Sequence, residues 1–127
     1  MHKIFTGIFL FLTITLTAAP TTEKLNKALR SGDANTIAEY FGSSVDFSIP
    51  NNEGVYSKTQ AKLILKTFFL KNKPTGFSIV HNGDSKNNSH YSIGNLTTTK
   101  GNFRTYILYK EVDKKVTILE LKIEADE

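Results

Sequence analysis

The chain has 127 residues, a formal charge of +4 and no cysteine. Set beside a short leader, that length allows one small domain with one core, and two domains would each be too small. A charge this mild, with its signs interspersed, excludes a strong nucleic-acid footprint. The lack of cysteine excludes disulfides and a lipid-modified cysteine anchor, so packing alone must hold the fold.

Met1, His2 and Lys3 give a positive start, and residues 4–16 are almost wholly apolar, broken by Gly7 and three threonines. Thr17, Ala18 and Ala19 close the stretch with small side chains. This is the order of a secretory signal peptide, and a run of about 13 apolar residues is short of the ~20 that span a bilayer. Residues 1–19 are expected to be a signal peptide, cut after Ala18 or Ala19, and residues 20–127 a single domain. The expected destination is the periplasm or the exterior, as a soluble protein with no integral membrane segment after cleavage. The patterns opening at Asn87 and Asn95 match the glycosylation acceptor and are read as chance in a bacterial chain.

Leu25, Ala28 and Leu29 recur at helical spacing over residues 22–30, and Ser31, Gly32 and Asp33 break the pattern. Asp33 can cap a second short helix with Ile37, Ala38 and Phe41 on its apolar side, ended by Gly42. Val45, Phe47 and Ile49 alternate with Asp46 and Ser48 as in a half-buried strand. Residues 50–54 carry turn chemistry. Ser57 with Gln60 forms a capping box, and Ala61, Ile64, Leu65 and Phe68 make one apolar stripe on the longest helix. Pro74 forbids its continuation.

Beyond Pro74 the apolar period becomes two. Four strands are expected at about 76–82, 90–98, 102–110 and 115–124, joined by short hairpin loops. Helices followed by a meander give an α+β class. Apolar matching sets Ile79 against Ile93 and His81 against Tyr91, and a three-residue turn at 99–101 sets Ile93 against Ile107. The inner face then holds Phe77, Ile79, His81, Tyr91, Ile93, Asn95, Phe103, Thr105, Ile107, Tyr109, Leu119, Leu121 and Ile123. The outer face holds Val80, Leu96, Tyr106 and Leu108, an apolar patch suited to a protein partner or to a homodimer through the sheet. Arg104 is expected to pair with Glu120 across that face.

Residues 48–61 (SIPNNEGVYSKTQA), 93–97 (IGNLT), 101–106 (GNFRTY) and 119–124 (LELKIE) resemble a family of small exported bacterial proteins classed only as a domain of unknown function, DUF4783. Over residues 22–125 the order of elements is similar to the nuclear-transport-factor-2-like superfamily, which includes ketosteroid-isomerase-like and SnoaL-like proteins. The resemblance implies a cone: N-terminal helices, and a curved, mostly antiparallel sheet wrapped on a long helix. It implies no activity, because this cone hosts isomerases, dehydratases, cyclases and non-catalytic binding proteins alike.

The candidate sites follow from these faces. His81, Tyr91, Asn95, Tyr109 and Phe68 are expected to line a cone pocket for a small apolar or amphipathic ligand. Asp46 and Glu120 fall on polar parity, so no carboxylate is aimed inward and no catalytic residue is assigned. His81 acting as a base in a small lyase or isomerase is the alternative. Two histidines on opposite faces cannot supply a metal site, and no cofactor is expected. Lys58, Lys62 and Lys66, at i, i+4 and i+8, form a stripe that could hold an envelope-associated structural protein to an anionic surface. The favoured reading is a non-catalytic binding module.

Overall fold

The computed structural model describes residues 22–126, so the expected leader lies outside the described residues. Helix α1 (Glu23–Ser31) buries Leu25, Ala28 and Leu29 on one stripe. It ends where Gly32 turns left-handed at φ 72°, and the Asp33 N–H donates to Ala28 O at 2.8 Å. Gly32 also sits against Pro74, whose ring atoms would lie 2.8–2.9 Å from an added Cβ. Helix α2 (Ala34–Ala38) is capped by Asp33. The Thr36 hydroxyl donates to one carboxylate oxygen at 2.7 Å and the Thr36 N–H to the other at 3.1 Å. These two bonds, the hydroxyl's first, hold the Asp33 carboxyl below its ordinary value.

Phe41 and Gly42, expected at the end of α2, instead open β1 (Phe41–Ile49). The short helix stops at Ala38 because Ile118 N–H takes the Tyr40 carbonyl at 2.7 Å, drawing the chain into the sheet. The turn expected over residues 50–54 is shorter: Pro50 and Asn51 form it, with Asn51 at φ 72°. Ile49 then pairs with Asn52, and β2 (Asn52–Ser57) adds an edge strand. Helix α3 (Lys58–Lys71) starts on the expected capping box: Gln60 N–H donates to Ser57 Oγ, and Ser57 N–H to Gln60 Oε1, each at 3.2 Å. It buries Ala61, Leu65, Phe68 and Phe69.

The strands β3 (Pro74–Asp84), β4 (Ser89–Thr98), β5 (Gly101–Val112) and β6 (Lys115–Ala125) complete an open, curved sheet in the order β2-β1-β6-β5-β4-β3. Every pairing is antiparallel except β1 with β6. The architecture is therefore α+β, with helices on the concave side of a six-stranded sheet.

Three register differences redistribute the faces. Thr98 pairs with Gly101, so the β4–β5 turn is the two residues Thr99 and Lys100, one shorter than expected. The slip inverts all of β4, because side chains alternate with period two. Leu96, opposite Phe103, points into the core and is fully buried. Tyr91, Ile93 and Asn95, opposite Leu108, Tyr106 and Arg104, point outward. The apolar match of Ile93 to Ile107 lost because Gly94, facing inward, makes room for the Phe77 ring. An irregularity between Ile79 and His81 then reverses the end of β3, so His81 pairs with Ile93 on the outer face. A third, between Leu108 and Tyr109, leaves Leu119 unpaired and puts Ile118 in the core.

Candidate functional site

The concave side is packed rather than hollow. Leu65, Phe68, Phe77, Leu96, Phe103 and Thr105 are all buried in the core, and the Phe68 and Phe103 rings meet edge to face at 5.1 Å. A groove of about 540 Å³ runs between α3 and the β1–β2 turn. Its apolar floor includes Ile49, Ile64, Phe68 and Phe103; Asn51, Asn52, Thr67 and Asn72 supply polar rim groups, and Lys71 is its one ionisable lining residue. The α3 spacing explains this: Ile64, Phe68 and Lys71 recur at helical intervals, and the last turn carries the cation past the apolar stripe. Phe68 is the one residue of the expected pocket set among those lining this groove. The sequence puts Asn51 in the turn over residues 50–54 and Lys71 beyond the lysine stripe, but assigns neither of them, nor Asn72, to a pocket; the signal available was a basic residue three positions after Phe68.

His81 and Tyr91 do come together, with His81 Nε2 and Tyr91 Oη 3.0 Å apart. They do so on the outer face rather than in the cone, and His81 is exposed. Asn95 is likewise exposed and outward. These three are corrected from pocket lining to outer-face residues, and the cause is the β4 inversion with the β3 irregularity. An isomerase-type base needs a pocket around it, and His81 is not among the groove residues. Of the expected partner patch, Val80 is 54% exposed, and Tyr106 and Leu108 are half-buried on the outer face. Leu96 is corrected to the core, where no partner can reach it.

Tyr109 stays on the inner face, half-buried, but away from the groove. Burial pushes its phenol above the ordinary value, with the Glu111 and Asp84 carboxylates adding to the effect and a hydrogen bond with Ser92 opposing it. Beside it, His90 lies 5.4 Å ring to ring and holds Asp84 Oδ1 through Nδ1 at 2.9 Å. Among the described residues there is no group of three side chains able to hold a metal ion. Lys58 and Lys66 are exposed on α3 and Lys62 is half-buried. Arg104 faces Glu124 directly, not Glu120, and makes no ion pair with any described residue. No helix among the described residues is long and apolar enough to cross a membrane.

A curved open sheet folded over a long helix, with helices at its N-terminal end, is the nuclear-transport-factor-2-like fold. It is shared with an NTF-2 like protein of unknown function from Burkholderia xenovorans LB400, at a TM-score of 0.60 and 9% identity over 84% of this chain and 80% of that one. Within that class the chain belongs to the family described as a domain of unknown function (DUF4783), which matches residues 22–124. It is similar to a DUF4783 family protein from Bacteroides fragilis YCH46: 31% identity, TM-score 0.74, 82% of this chain and 97% of that chain. The figures for a DUF4783 family protein from Bacteroides ovatus ATCC 8483 are 28%, 0.76, 83% and 94%. No curated protein matches the chain.

Proposed function

We propose that this protein is an exported, non-catalytic binding module that holds an amphipathic molecule in the groove beside α3. Residues 1–19 act as the cleaved leader, and residues 20–127 are one domain. The observation that carries the reading is the lining itself. An apolar floor next to amide side chains and a single lysine suits a hydrocarbon chain with an acidic head. The same lining contains no carboxylate and no histidine, so it offers no acid–base pair for the chemistry this fold supports elsewhere. The volume is within the range of small-ligand sites, about 300–1,000 Å³.

Isothermal titration with dodecanoate and with dodecanol tests the proposal. Both should bind, because both bury a chain on the floor. Lys71→Gln should weaken dodecanoate about fivefold while leaving dodecanol unchanged, in keeping with loss of one charge-assisted contact at an exposed rim. Thr67→Trp, placed on an exposed position of α3 that lines the groove, should abolish both. Failure of both amphiphiles to bind the unsubstituted protein would overturn the proposal.

A further inference from the structure

The outer sheet face carries a second arrangement, independent of the groove. Tyr91 lies across Gly83: a Cβ added there would stand 2.8–2.9 Å from the Tyr91 hydroxyl and the adjoining ring carbons. Glycine at that position therefore lets the ring lie down on the edge strand, and the hydrogen bond to His81 fixes its far end. Tyr106, diagonally opposite on β5, is within 24° of parallel to Tyr91, with centroids 6.3 Å apart. Two near-parallel tyrosine rings thus share one side of the sheet with Ile93 and Leu108.

Beside Tyr106 is a depression of about 290 Å³ lined by Arg104, Tyr106, Glu120, Lys122 and Glu124. Its two cations and two carboxylates cancel in charge. None of the four forms an ion pair with a described residue, although β5–β6 pairing sets Arg104 directly against Glu124. The face therefore offers strong donors and strong acceptors side by side, with no net preference for an anion or a cation. The carboxylates disfavour a phosphate backbone, and the charges disfavour a purely apolar partner.

We propose that this face binds a neutral oligosaccharide. A pyranose ring has an apolar C–H face that can lie on tyrosine, and hydroxyls at its edge that both donate and accept. The tyrosine pair takes the ring face of one sugar. The Arg104, Glu120, Lys122 and Glu124 depression takes the hydroxyls of the next through charge-assisted hydrogen bonds.

The test is titration of the protein with maltohexaose, cellohexaose and mannohexaose, followed by tyrosine fluorescence and calorimetry, with hexagalacturonate as the charged comparison. At least one neutral hexasaccharide should bind, and more tightly than hexagalacturonate. Tyr91→Ala and Tyr106→Ala should each weaken it about tenfold. Gly83→Ala should do the same by lifting the Tyr91 ring without removing it, and Tyr91→Phe should retain binding, which separates loss of stacking from loss of fold. Lys71→Gln should have no effect. The proposal is overturned if none of the neutral hexasaccharides binds, or if binding survives Tyr91→Ala and Gly83→Ala. It is also overturned if sedimentation shows a dimer that Tyr106→Ala splits, since a second copy would then occupy the face.

Discussion

Two inner-face positions on neighbouring strands, Gly94 and Thr105, decide much of how the core is packed. Gly94 has ordinary backbone angles, so its need is for space: an added Cβ would stand 2.6 Å from the Phe77 ring and 2.8 Å from the Ser78 carbonyl. Gly94→Ala should cost about 1–3 kcal/mol in urea denaturation, the range for overpacking a filled core. Thr105 is the opposite case. Its hydroxyl is fully buried and has no hydrogen-bond partner. Since an unpartnered buried polar group is costly, Thr105→Val, nearly the same shape, should leave the protein as stable or raise stability by about 1–3 kcal/mol. The usual penalty for exchanging these residues comes from losing the hydroxyl's bonds, and here there are none to lose.

Among the elements, α3 matters most, because its apolar stripe fills the cone and its last turn borders the groove. Its capping box satisfies two backbone N–H donors at the start, those of Ser57 and Gln60. Ser57→Ala should therefore lower stability by about 1 kcal/mol. Helix α2 has a pH-sensitive cap. The Asp33 carboxyl is held below its ordinary value chiefly by the Thr36 hydroxyl and N–H. A depressed folded-state value means the carboxylate stabilises the fold above the unfolded value, near 4, and that contribution disappears as pH falls through the lower folded value. Asp33→Asn, whose amide nitrogen cannot accept the Thr36 hydroxyl, should lower stability modestly at neutral pH and flatten the acid limb below about pH 4, so that the two proteins converge in acid.

The elements themselves were largely legible. Helical spacing located α1 and α3, the Ser57 and Gln60 pair marked the start of α3, and period-two alternation located β3 to β6. What alternation could not decide was phase. On β4 both parities read plausibly, Tyr91, Ile93 and Asn95 against Ser92, Gly94 and Leu96. The choice rests on turn length at Thr99 and Lys100 and on the Phe77 ring over Gly94, which are tertiary facts. Irregularities at Val80 and Leu119 each shift parity by one and leave no mark in composition. β2 was hidden because Glu53 and Gly54 are turn formers and its exposed edge lacks an apolar face. The groove was legible on its α3 side, where Ile64 and Phe68 lie on the expected apolar stripe, but not across it, because the facing walls come from the β1–β2 turn and from β5 and β6, distant in sequence.

The cone is filled from within largely by phenylalanines and aliphatic side chains, and its apolar groove opens beside α3. That arrangement separates two surfaces: an apolar groove with one cation on the helix side, and a tyrosine-bearing, charge-balanced sheet face on the other. The role proposed for the groove is to hold an amphipathic molecule without acting on it. The most direct measurement is a backbone and side-chain NMR titration with dodecanoate. Saturable shifts are expected at Ile49, Ile64, Phe68 and Phe103, none at His81 or Tyr91, with dodecanoate recovered unchanged. Shifts confined to the outer face, or chemical conversion of the ligand, would contradict that role.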